Sequence, residues 1–99
     1  MAVVFLTLAP LGTGSPSISS YVAGVERILR ETKLTHQLTA MGTIIEGDLD
    51  EILAVVRKMH EHPFTQGAVR VSTLIKIDDR RDKPHTIAGK MASVQSKLK

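Results

Sequence analysis

Three polar residues interrupt otherwise apolar stretches of this chain: Thr7, Thr43 and Glu46. Glu46, between Ile45 and Gly47, has the most chemistry to offer. A carboxylate on a strand accepts hydrogen bonds from an amine or a protonated ring nitrogen, and a buried one must find such a partner. A glutamate turned outward to solvent is the plain alternative. A second concentration of polar groups runs from Pro10 through Gly12, Thr13, Gly14 and Ser17 to Ser19, between an apolar stretch and an amphipathic one. No charged side chain occurs from Met1 to Val25, so anything held there meets backbone N–H groups, hydroxyls and a helix N-terminus. Such a helix end favours polar or anionic groups. An ordinary strand-to-helix turn has the same composition, so the loop counts as a site only alongside a second motif.

Nucleophilic, metal and phosphate chemistry find little support. The strained GxSxG turn of a serine hydrolase is missing, and Gly12-Thr13-Gly14 followed by Ser15-Pro16-Ser17 matches neither a dinucleotide fingerprint nor a P-loop. His60 and His62 stand two residues apart, whereas a zinc helix presents its imidazoles at i and i+4. His36 and His85 have no ligand partner nearby in sequence. The absence of cysteine excludes disulfides, thiolate zinc sites and a cysteine nucleophile, and suits a reducing compartment. The chain is therefore expected to be no enzyme and to carry neither metal nor cofactor.

Charge and composition narrow the partners. Thirteen basic and ten acidic residues leave a formal charge of +3, and the one basic cluster, Arg80-Arg81-Asp82-Lys83, is diluted by aspartate. With one Tyr, two Phe and no Trp there is little to stack on bases, which speaks against nucleic acid. The apolar start lacks a basic leading segment and meets Pro10 early, so it reads as a strand and not as an export signal. No stretch approaches the roughly 18–20 apolar residues of a membrane span. A cytoplasmic protein without membrane contact is expected.

These groups need elements to position them, and 99 residues suffice for one domain covering 1–99. Residues 2–9 are apolar on both alternating faces, the pattern of a central strand. From Ile18 the positions Tyr21, Val22, Val25, Ile28 and Leu29 keep helical spacing, with Ser15 or Ser17 as N-cap. Thr35 to Thr39 and Thr43 to Gly47 read as a hairpin turning at Ala40-Met41-Gly42. Asp48 opens a second helix along Leu49, Ile52, Leu53, Val56 and Met59, which His62-Pro63 is expected to end. Val69, Val71, Thr73, Ile75 and Ile77 alternate with Arg70, Ser72, Leu74, Lys76 and Asp78 as a long half-buried strand. Pro84 can then start a helix with Ile87, Met91, Val94 and Leu98 on one face.

The order βαββαβ plus a helix predicts an α+β, ferredoxin-like sandwich with an additional C-terminal helix. With both main helices on one face, the other face of the sheet keeps apolar residues exposed. That predicts a homodimer or homotetramer, with the fourth strand as the seam, unless the last helix folds over the open face.

Pro10-Leu11-Gly12-Thr13-Gly14 with Ser17-Ile18-Ser19, then Met41-Gly42-Thr43-Ile44-Ile45-Glu46-Gly47, and finally Lys76-Ile77-Asp78-Asp79-Arg80, together resemble the thiamine-binding protein family over nearly the whole chain. Members of that family often carry proline where this chain has Ala40. The resemblance implies a ferredoxin-like oligomer that binds thiamine or its hydroxymethylpyrimidine half as a ligand, not as a cofactor, and without catalysis. An aminopyrimidine offers an exocyclic amine and ring nitrogens, which Glu46, Thr43, Ser17 and Ser19 are of the right type to satisfy. The expected pocket is lined by Gly12, Thr13, Ser17 and Ser19 on one side and by Met41, Gly42, Thr43 and Glu46 on the other. A regulatory or assembly module that takes a different small ligand is the alternative, since one fold hosts many functions.

Overall fold

The structure, a computed structural model, describes residues 1–12, 19–83 and 85–98, with the side chains of Ser19 and Ser20 outside that description. Its elements are β1 (Ala2–Pro10), α1 (Ser19–Arg30), β2 (Thr35–Thr39), β3 (Gly42–Gly47), α2 (Leu49–Thr65), β4 (Val71–Asp79) and α3 (Ile87–Lys97). The strands form one sheet in the order β2-β3-β1-β4, with every neighbouring pair antiparallel. This is the ferredoxin-like arrangement, carrying the additional C-terminal helix.

β1 is central because both of its side-chain rows are apolar. On the inner face Val4 lies between Ile45 and Ile77, and Leu6 lies between Thr43 and Ile75. Val25 and Leu29 of α1 and Ile52, Val56 and Met59 of α2 close the core over that face. Asp48 caps α2, its carboxylate accepting the Glu51 N–H at 3.2 Å, with Asp50 and Glu51 in the first turn of the helix.

Two expectations are corrected. α2 does not stop at His62-Pro63 but runs on to Thr65. Pro63 removes one helical donor near the end of the helix, yet its ring is fully buried and its carbonyl accepts the N–H groups of Gln66 and Ala68 at 3.0 and 3.1 Å. Burial of the ring outweighs a loss confined to the last turn. β4 is not half-buried along its length: only Val71 and Thr73 are, while Ile77 is 45% exposed. β4 is an edge strand, and the two helices cover the sheet only toward its middle. Pro84 and the candidate N-caps Ser15 and Ser17 lie outside the described residues. α3 itself starts at Ile87, where the Thr86 hydroxyl accepts the Gly89 N–H at 2.9 Å.

The β2–β3 hairpin is tighter than the sequence suggested, with only Ala40 and Met41 between Thr39 and its partner Gly42. The Thr39 hydroxyl ties the turn, donating to the Gly42 carbonyl at 2.7 Å and accepting the Met41 and Gly42 N–H groups, each at 3.2 Å. At Gly42 a methyl group would stand 2.7 Å from the Leu6 carbonyl oxygen and 2.7 Å from the Phe5 ring, so only glycine lets β3 approach β1 here. Gly42→Ala is expected to destabilise the fold by about 1–3 kcal/mol, read as a lowered urea midpoint.

Candidate functional site

A cleft of 280 Å³ opens at the end of the sandwich where β1, α1 and the hairpin turn diverge. Thr7 and the inner-face residues Leu6 and Leu8 of β1 form one side, Tyr21, Val22, Val25 and Glu26 of α1 a second, and Leu38 to Thr43 a third, with Met59 of α2 beneath. A volume of this size sits near the lower end of small-ligand cavities and suits a single heteroaromatic ring.

Of the residues expected at a site, Met41, Gly42 and Thr43 line this cleft. Thr43 is buried on the inner face beside Leu6, and Met41 stands at the lip, 81% exposed. Gly12 ends the segment after β1 in a left-handed conformation, φ +68°, and is not among the lining residues. Thr13, Ser17 and the Ser19 side chain lie outside the described residues.

Glu46 is the correction. Three residues from Thr43 on an extended strand, it necessarily points to the opposite face of the sheet. There its Oε2 accepts the Ile87 N–H at 2.6 Å and anchors the start of α3. Thr43 and Glu46 therefore do not share one pocket wall.

Among the described residues Glu26, which is 8% exposed, is the one charged residue in the lining. Its Oε1 lies 3.2 Å from Nε2 of His36, whose Nδ1 lies 3.0 Å from the Leu34 carbonyl oxygen. His36 projects from the inner face of β2 opposite Ile45, which places the pair between α1 and the sheet. In sequence, Glu26 before Arg27 reads as the charged side of a helix. The available signal was its position four residues after Val22 and three before Leu29, at the border of the apolar stripe.

On the outer face a second charged group steadies α3. Asp78 Oδ2 lies 2.9 Å from Lys90 Nζ and 3.2 Å from His85 Nε2, the latter buried and off the line of a hydrogen bond. Lys90 first, then His85, holds the Asp78 carboxyl below its ordinary value of 3.8. A carboxylate whose value is lowered by folding stabilises the folded form above its ordinary range, and that contribution disappears as pH falls through the lower, folded value. Asp78 is half-exposed, so salt screens the group as well. Among the described residues, no three His, Asp or Glu side chains gather to hold a metal ion. No helix among them is long and apolar enough to cross a membrane.

Sheet order and helix placement define a ferredoxin-like α+β protein, with a ring-sized cleft at one end of the sandwich. The chain belongs to the thiamine-binding protein family, whose model matches residues 4–95. It is 48% identical over 102 residues to the UPF0045 protein YqgV of Bacillus subtilis, covering 99% of this chain and 98% of that one. To the UPF0045 protein of Methanothermobacter thermautotrophicus it is 43% identical over 94 residues, covering 94% and 95%. A crystal structure of a hypothetical protein from Methanocaldococcus jannaschii superposes with a TM-score of 0.86 at 36% identity, covering 95% of both chains. A Thermotoga maritima protein provisionally assigned to thiamine biosynthesis or salvage matches at TM-score 0.77 and 17% identity, covering 94% of this chain and 97% of that one, a likeness of fold alone.

Removing the outer-face anchor should loosen α3 and leave the cleft intact. Glu46→Ala is expected to speed proteolytic cleavage after Asp79 severalfold, and lowering the pH to below the ordinary carboxylate range, where Asp78 protonates, should do the same in the wild type.

Proposed function

We propose that this protein binds thiamine or its hydroxymethylpyrimidine half in the cleft between β1, α1 and the hairpin, as a non-enzymatic carrier or sensor in the cytoplasm. The observation that carries the reading is the single buried carboxylate, Glu26, set among apolar walls with Tyr21 beside it. An aminopyrimidine places an amine against such a carboxylate and its ring faces against apolar side chains, while the thiazolium adds a positive charge that no basic residue among the described lining opposes. Membership of the thiamine-binding family supports the same ligand class. Thr43, and the hydroxyls of Ser17 and Ser19, remain candidates for the ring nitrogens.

The protein acts as a homodimer or homotetramer in this reading. β4 offers a nine-residue edge with Leu74, Ile75 and Ile77 exposed, a combination that monomers seldom leave open.

Calorimetric titration with thiamine and with hydroxymethylpyrimidine tests the ligand, and an absence of heat or thermal shift at millimolar concentrations of both overturns it. Glu26→Gln is expected to weaken binding about tenfold or more, the scale of one charge-assisted hydrogen bond. Glu46→Gln should leave affinity unchanged. Failure of both ligands together with a co-purifying stoichiometric partner would support the regulatory or assembly module. For assembly, Ile75→Lys is expected to lower the subunit number in native mass spectrometry, and an unchanged number moves the seam away from β4.

A further inference from the structure

A second cavity, of 250 Å³, lies on the other face of the sheet from the cleft, between the outer row of β1 and α3. Val3, Phe5 and Ile44 form its floor, Ile87 and Met91 its roof, and Lys76, Asp78 and Lys90 its charged rim. Strand register sets this layout. Phe5 stands between Ile44 and Lys76, and Val3 between Glu46 and Asp78, so an apolar strip along β1 is flanked by charge on β4. α3 crosses the strip without sinking onto it. The Glu46 bond to the Ile87 N–H and the Lys90–Asp78 pair tether its first turns from two different strands, and no residue of α3 is buried. Side chains that line such a gap lack neighbours on one side and forgo dispersion contacts that an occupant restores.

The polar groups already engaged define what can enter. Lys90 holds Asp78 at 2.9 Å, and Glu46 is taken up by Ile87. Lys76, on the same outward row as Asp78, makes no ion pair among the described residues. The rim thus offers one uncommitted positive charge, which repels a cation and partners a monoanion. At the start of α3 the Ile87 N–H is given to Glu46, the Gly89 N–H to the Thr86 hydroxyl and the Lys90 N–H to the Thr86 carbonyl, which leaves little for a phosphate. The walls select the body of the ligand. With the Phe5 ring in the floor and the Met91 thioether in the roof, an aromatic ring gains both ring–ring and sulfur–ring contacts.

We propose that this outer-face cavity binds a small aromatic monocarboxylate, its ring between Phe5 and Met91 and its carboxylate on the Lys76 ammonium. Because α3 crosses the floor, the opening suits a ring better than the flat face of a second copy. The cavity is separate from the cleft, whose Thr43 and Glu26 lie on the inner side of the sheet, so its occupation does not depend on what the cleft binds.

The test is a titration of the full chain with phenylacetate and, separately, with its neutral amide, followed in proton–nitrogen correlation NMR spectra. Saturable shifts at the amides of Val3, Phe5, Ile44, Lys76, Ile87 and Met91 are expected at roughly millimolar acid, with Tyr21 and Thr43 unmoved. Phenylacetamide should bind about fivefold more weakly, the upper scale of one exposed ion pair. Lys76→Gln, at an exposed position, should lower the affinity for the acid to that for the amide and leave the amide unchanged. Shifts that never saturate, shifts centred on the cleft, or equal affinity for acid and amide in the wild type overturn the assignment. Movement of the same signals on dilution of the protein alone, with none on adding the acid, gives the face to a second copy and overturns it too.

Discussion

The structure depends on β1 being buried on both faces while its neighbours are not. Its inner row, Val4 and Leu6, meets α1 and α2, and its outer row, Val3 and Phe5, supports the face crossed by α3. Strand geometry sends alternate residues to opposite sides, so every residue paired with β1 inherits a side from the register. Ile45 and Thr43 fall inward opposite Val4 and Leu6, and Ile44 and Glu46 fall outward opposite Phe5 and Val3. One motif on β3 thereby serves two faces, Thr43 for the cleft and Glu46 for α3.

That division explains why the site carries its charge on a helix. The inner face near the hairpin is apolar apart from Thr43 and His36, and the nearest position from which a carboxylate can descend onto it is the border of the α1 stripe. Glu26 holds that position, buried, with its Oε1 3.2 Å from His36 Nε2. Surface pairs such as Arg57–Glu61, largely exposed on α2, contribute little.

The outer face is held differently. α3 has no fully buried residue, and Met91 and Val94 stay largely exposed, so apolar packing alone does not secure it. The Glu46 bond to the Ile87 N–H and the Lys90–Asp78 pair fix the first turns of α3 over Val3, Phe5 and Ile44. Directional polar contacts set the place of α3, while the apolar surface around it and along β4 stays exposed.

Periodicity alone determined most of the architecture. The two-residue alternation of β4, the double-sided apolar run of β1, the stripe of α1 and the cap at Asp48 are local patterns, and each appears as an element in the structure. The stop at Pro63 and the half-burial of β4 were misjudged because burial of the Pro63 ring and the reach of the two helices across the sheet are long-range quantities. The same holds for the site. Met41, Gly42 and Thr43 were legible as a turn next to a strand, whereas the pairing of Glu26 with His36 joins residues from α1 and β2 that no local spacing connects. The residue types that could bind a ligand are written in the chain. Which carboxylate faces the cleft was decided only when strand register assigned Glu46 to the outer face and helix packing lowered Glu26 onto the inner one.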